Sequence, residues 1–274
     1  MTDVHMSPRT LARYQQVQAL LDQLHPEAQP QALLVPRSPQ PQQSVIVFTG
    51  SFNPPTTAHL AMLKRAYQYA HTHEPMGLYA AFSKHTVDKE RVERPLLLDR
   101  IVLLNTLLKH RLPHAGIMLF NRGLYVEQAE AIRGSFRRVK HILFLMGFDK
   151  IVQIFDAHYY NDRDKELRQL FALAQLLVAP RGNDGEQELA ALIHKPENEP
   201  FAQYVHPLPL NSTYRNISST RIRESAQGST HDIPHEVREF MLKTRAYAPP
   251  LRRSDGTEVD FYAERMKALE SLLR

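Results

Sequence analysis

The chain has 274 residues, of which 43% are hydrophobic and 23% charged, with no cysteine and no tryptophan. That length fits one large α/β domain or two small ones, no apolar run approaches the ~18 residues of a membrane span, and the absence of cysteine excludes disulfides and thiolate metal sites. Thirty-four Lys and Arg against 29 Asp and Glu give a net charge of +5, a balance that draws nucleotides, phosphorylated metabolites or nucleic acid. The first residues lack the basic, apolar and small-residue pattern of a secretory signal. A cytoplasmic location is expected, in keeping with the cysteine-free composition.

Residues 8–25, "PRTLARYQQVQALLDQLH", place Leu11, Tyr14, Val17, Leu20 and Leu21 at helical spacing. The Pro- and Gln-rich stretch 26–44 reads as a linker crossing the surface. Residues 1–43 are therefore expected to form a helical extension and linker. The helix would dock on the main domain or serve a homo-oligomer contact. From Val45 onward, apolar runs recur: "VIVF" (45–48), "LYAAF" (78–82), "IMLF" (117–120), "ILFLM" (142–146), "LLVA" (176–179) and the weaker "YVHPL" (204–208). Helical patterns lie between several of them, over about 57–72, 95–110, 126–135, 149–156 and 164–174, and then 219–227 and 234–245. Apolar strands alternating with helices predict a parallel sheet covered on both faces. The expected fold is α/β: a Rossmann-like doubly wound parallel sheet over 44–248 with a helical C-terminal part. A closing helix in 249–274 is predicted by Phe261, Met266, Leu269 and Leu272.

Open parallel sheets hold ligands at the carboxyl ends of their strands. The first run ends in "TGSFNPPTTAHL". Its single glycine excludes the GxGxxG fingerprint, and the missing GK[ST] excludes a P-loop. A tight strand-to-helix turn is nonetheless a good anion site. Gly50 lets the backbone approach a phosphate, Ser51 and Phe52 offer N–H groups, and Pro54 and Pro55 stiffen the turn. Thr57 is the expected helix cap. Thr56 and His59, three apart, share a face of the first turn. Spacing alone leaves two readings of that pair, a phosphate contact or a cap beside a partly exposed histidine.

A second stretch, "RNISSTRIRES" (215–225), offers Ser218, Ser219 and Thr220 as helix-start residues, followed by Arg221 and Arg223 in the first turn. Helix starts disfavour cations. Hydroxyls and arginines there, with no acid before Glu224, suit a bound phosphate chain.

Together "GSFNPPTTAHL" and "ISSTRIR" resemble the nucleotidyltransferase superfamily marked by an H/T-x-G-H-type loop and an ISSTxxR loop. Within it the chain looks like the nicotinamide/nicotinate mononucleotide adenylyltransferases, with "GFD" and "RGND" following later strands in that family's order. The resemblance spans about residues 44–247. It implies that Gly50, Ser51 and Phe52 line the dinucleotide phosphates and that Thr56 and His59 contact the α- and β-phosphates of ATP. It further implies that Gly147 and Asp149 hold the nucleotide sugars, and that Ser218, Ser219, Thr220 and Arg223 grip the β- and γ-phosphates. Lys84, Lys89 or Arg91 would meet the mononucleotide phosphate, and Arg181 would flank the substrate pocket. Mg²⁺ would arrive on the ATP phosphates, with no metal site in the protein.

Two departures stand out. Ala58 occupies the place of the family's glycine before the histidine. The tryptophan on which the family often stacks the pyridine ring is missing, leaving Phe148, Tyr159 or Tyr160 as substitutes. The partners so implied are ATP and a pyridine mononucleotide. A related enzyme with another phosphorylated acceptor and a non-catalytic nucleotide-binding protein are the alternatives. Nucleic acid is not expected, since the RNA-binding signature and basic stripes alternating with aromatics are missing.

Overall fold

A computed structural model describes residues 6–84, 94–180, 185–224 and 231–273. In chain order the elements are α1 (Pro8–Gln23), β1 (Ala32–Leu34), β2 (Ser44–Thr49), α2 (Thr57–His73), β3 (Gly77–Ser83) and α3 (Leu97–Arg111). Then come β4 (Ala115–Phe120), α4 (Tyr125–Ser135), β5 (His141–Gly147), α5 (Phe148–Phe155), α6 (Arg163–Leu173), β6 (Gln175–Ala179) and α7 (Glu186–Ile193). The C-terminal part holds β7 (Val205–Pro207), α8 (Ser212–Arg215), α9 (Ser219–Glu224), α10 (His235–Thr244), β8 (Leu251–Arg252), β9 (Glu258–Val259) and α11 (Phe261–Leu273).

The apolar runs are strands because each must bury both of its faces. In β2, Ile46 and Phe48 enter one core and Val45 and Val47 the other. In β5, Leu143 and Leu145 join the first core, and Ile142, Phe144 and Met146 the second. Each such side chain contributes ~1.5–3 kcal/mol by leaving water. The first core lies under α1, α2, α3, α10 and α11, the second under α4, α5, α6 and α7. The sheet runs β1-β4-β3-β2-β5-β6-β7, all parallel except β1. This is the expected Rossmann-like α/β fold. Among the described residues no helix is long and apolar enough to cross a membrane.

The linker expectation needs correction. Residues 26–44 contain β1, which pairs antiparallel with β4 through Ala32↔Phe120 and Leu34↔Met118. The strand is three residues long and lies at the sheet edge, where the flanking Pro30 and Pro36 cost no ladder bond. The buried Asn121 anchors the crossing: its amide donates to the carbonyls of His25 and Gln29 at 2.9 Å and accepts from Gln31 N–H at 2.8 Å. Outside the elements expected from the sequence are α7, whose Leu189, Leu192 and Ile193 stand at helical spacing, α8 and the β8–β9 hairpin.

Both terminal segments close on one buried carboxylate. Asp99, in the first turn of α3, is 0% exposed. It accepts from Tyr14 Oη of α1 at 2.5 Å, from Tyr262 Oη of α11 at 2.6 Å and from Arg265 Nη2 of α11 at 2.7 Å. Burial, reinforced by the Asp99 carboxylate, pushes both tyrosine hydroxyls far up from the ordinary value. They stay protonated donors at any working pH.

Candidate active site

β2 and β5 are neighbours in mid-sheet, and the chain leaves them toward opposite edges. The crevice at their carboxyl ends is the topological switch point, where open α/β sheets hold ligands. The 50–56 loop leaves β2 there, and Gly147 and Phe148 leave β5.

The loop is built around Phe52. This residue has φ 43°, a left-handed conformation rarely adopted by a bulky side chain, and is 1% exposed. Its ring sits edge-on to Phe48, Phe82 and His59, with centroids 5.1–5.3 Å away. A Cβ on Gly50 would stand 3.3 Å from that ring, so glycine at 50 serves close packing. Gly50 N–H donates to the carbonyl of Ala81 in β3 at 3.1 Å, so this amide is taken up within the fold. The N–H groups of Ser51 and Phe52 donate to no described residue. Gly50→Ala should cost about 1–3 kcal/mol by overpacking. A melting curve superimposable on wild type would contradict this packing argument.

The distant arginine-bearing segment grips the same loop. Arg223 Nη1 donates to the carbonyl of Asn53 at 2.6 Å, and Ser219 Oγ to that of Pro54 at 2.8 Å. Arg223 Nη2 also reaches Thr220 Oγ1 at 3.3 Å. Five guanidinium hydrogens less these two leave donors for a ligand. Ser218 stands one residue before α9, its carbonyl accepting from Ile222 N–H at 3.1 Å. The two motifs are thus adjacent although some 160 residues separate them.

At the start of α2, the cap is Thr56 rather than the expected Thr57. Thr56 Oγ1 accepts from His59 N–H at 3.3 Å, and His59 Nδ1 accepts from Thr56 N–H at 2.9 Å. The two threonines are alike in propensity. Thr57 N–H is taken by the carbonyl of Asp232 at 2.9 Å, and that fixes the register. Thr56 is 1% exposed, and its Oγ1 also stands 2.9 Å from His59 Nδ1, so it sets the His59 ring. A main-chain amide only donates, so Nδ1 is the acceptor nitrogen and the ring proton sits on Nε2. A neutral His59 is therefore a hydrogen-bond donor.

Sequence reasoning missed Arg100. It is 7% exposed, and its Nη1 donates to the carbonyl of Ser51 at 2.8 Å. Its Nε is buried with no described partner. Burial lowers its pKa, Tyr247 and Tyr262 pull the other way, and the neighbouring Arg223 adds to the burial effect. Two guanidiniums that disfavour each other over one loop are relieved by an anion between them. The available signal was "LLLDRIVLL", a charged pair inside an otherwise apolar helix. Tyr247 was missed too; its hydroxyl donates to Asn53 Oδ1 at 2.8 Å, holding a side chain that is 3% exposed.

On the β5 side, Gly147 precedes α5, with open space where a Cβ would stand. Asp149 is exposed in the first turn of that helix. Lys84, expected near the mononucleotide phosphate, donates its ammonium to the carbonyl of Leu21 in α1 at 2.6 Å. Lys89, Arg91 and Arg181 lie outside the described residues. Of the aromatics considered in place of tryptophan, Tyr159 is 58% exposed and Phe148 packs against the second core. Tyr160 donates to the carbonyl of Ile154 at 2.8 Å.

No family model matches the chain. The chain is similar to a Schizosaccharomyces pombe protein named "Putative nicotinamide mononucleotide adenylyltransferase", with 24% identity over 234 residues. That match covers 78% of this chain and 90% of the yeast protein.

Proposed function

We propose that this protein is an adenylyltransferase that joins nicotinamide or nicotinate mononucleotide to the AMP moiety of ATP, releasing pyrophosphate. The similarity to the yeast protein supports a nucleotidyltransferase-type activity. The observation that carries the reading is the grip of Ser219 and Arg223 on the carbonyls of Pro54 and Asn53, beside His59 and at the switch point.

An oxygen of the mononucleotide phosphate attacks the α-phosphorus of ATP. The bond from that phosphorus to the bridging oxygen breaks, and pyrophosphate leaves. The nucleophile is already an anion, so no covalent intermediate or activating base is required. Alignment and neutralisation of developing charge carry such a transfer. His59 Nε2–H and the N–H groups of Ser51 and Phe52 donate to the α- and β-phosphates. Ser218, Ser219, Thr220 and Arg223 hold the β- and γ-phosphates, Arg100 adds charge behind Ser51, and Gly147 and Asp149 receive the sugars. The donors are guanidiniums, hydroxyls and amides, which suit phosphate oxygens. Mg²⁺, carried by the ATP phosphates, supplies further neutralisation.

The test is pyrophosphate release from ATP with both pyridine mononucleotides, phosphopantetheine and glycerol phosphate as acceptors. Release with a pyridine mononucleotide is expected. Release only with another acceptor would move the protein to a sister activity, a second reading that the tryptophan-free sequence favours. Silence with all four would overturn the enzymatic proposal. Arg223→Ala should raise the KM for ATP about tenfold or more, as loss of a charged donor does. An unaltered KM and kcat would remove Arg223 from the site.

A further inference from the structure

On the opposite side of α3 from the 50–56 loop's partner Arg100, the N-terminal helix and the turn after β1 enclose a cavity of about 210 Å³. Its walls carry Arg9 and Arg13 of α1, Arg37 of the turn, and Lys109 of α3. No acidic side chain lines it, and none of the four cations is ion-paired among the described residues. Among the described residues their one side-chain hydrogen bond is Arg13 Nη1 donating to Thr106 Oγ1 at 3.1 Å.

Two of these cations stand where local physics disfavours them. Arg37 has φ 73°, and Ser38 N–H bonds back to the carbonyl of Val35 at 3.1 Å. With Pro36 second and a left-handed residue third, this is the arrangement of a type II turn, whose third position wants glycine. Arg9 lies in the first turn of α1, at the positive end of the helix dipole, with no acid beside it. Local rules broken together in one place mark function more often than accident. A separate observation points into the cavity. Asn105 lines it, is 8% exposed, and its side chain makes no hydrogen bond with any described residue. Buried amides are normally satisfied, so this one has bonding capacity for a polar group that enters the cavity.

We propose that this cavity is a second anion site, distinct from the 50–56 loop, that takes the diphosphate group of a small molecule. A diphosphate matches four converging cations better than a single phosphate, which brings about −1.5 to −2 charges. Asn105 donates its amide to a phosphate oxygen. Lys109 agrees with this assignment, because burial and then the neighbouring Arg13, Arg37 and Arg9 lower its pKa, and an anion reverses that cost.

The experiment is calorimetric titration of the full-length protein with inorganic pyrophosphate, with ADP and orthophosphate as further arms. Wild type is compared with Arg37→Gly/Lys109→Gln and with Arg223→Ala. Arg37→Gly suits the turn, so the double variant should melt no lower than wild type and remain folded. The expected result is a pyrophosphate-binding event that the double variant weakens tenfold or more and Arg223→Ala leaves intact. Tighter binding of pyrophosphate than ADP identifies a free diphosphate, and the reverse order a nucleotide-borne one. The proposal is overturned if the double variant binds as wild type does, if orthophosphate binds as tightly as both diphosphates, or if Arg223→Ala abolishes every binding event.

Discussion

His59→Ala is expected to lower kcat for dinucleotide synthesis about 10²-fold, the loss typical of one preorganised donor. KM should change less, because in the proposed complex Ser219, Thr220 and Arg223 hold the β- and γ-phosphates from the far side. The variant also loses half of the capping box, since Nδ1 no longer accepts the Thr56 amide at 2.9 Å. That should cost ~1 kcal/mol of stability, small beside the catalytic loss. His59→Gln separates the two roles. Glutamine at the third helical position completes a capping box by itself. It should restore the melting temperature while recovering little turnover, because its donor no longer projects where imidazole Nε2 does. Full activity in His59→Gln would reduce His59 to a cap. Unchanged turnover in His59→Ala would remove it from the mechanism.

Much of this arrangement is legible in the sequence, for a physical reason. A strand buried on both faces needs a continuous apolar run, so "VIVF" and "ILFLM" announce themselves without any partner. The arginine-bearing helix start is legible because it violates a local preference. What escapes is whatever depends on residues far apart in the chain. β1 is three residues long at an edge, held in place by Asn121 about 90 positions away. The choice between Thr56 and Thr57 as cap is made by the carbonyl of Asp232, 175 residues on. The Gly50 amide reads as available until β3 is seen to accept it. Arg100 and Asp99 look like interruptions of an apolar helix, and only the folded chain shows one reaching the Ser51 carbonyl and the other holding both terminal segments.

That clasp leads to the largest expected stability effect. Asp99→Ala should destabilise the protein by about 3–5 kcal/mol, because it leaves Arg265 as an uncompensated buried charge. Arg265 is only 14% exposed in its side chain, so water does little to replace the lost carboxylate. Tyr14 and Tyr262 lose their acceptor at the same time. At ~2–4 °C per kcal/mol for a chain of this order, the melting temperature should fall by roughly 10 °C. The penalty lies in the orphaned partners rather than in the worth of the ion pair. Asp99→Leu combined with Arg265→Met and phenylalanine at positions 14 and 262 should therefore recover most of the loss. Asp99→Ala and Arg265→Ala should also be strongly non-additive, since each removes the other's partner. Additive losses in that cycle would mean that α1 and α11 are held by their apolar faces alone. The clasp also bears on the site, since Tyr262 Oη accepts from Leu96 N–H at 2.7 Å just before α3. Arg100 follows Asp99 directly and grips the Ser51 carbonyl, so loosening α11 should loosen the 50–56 loop. Asp99→Ala assayed well below its melting point should then lose turnover.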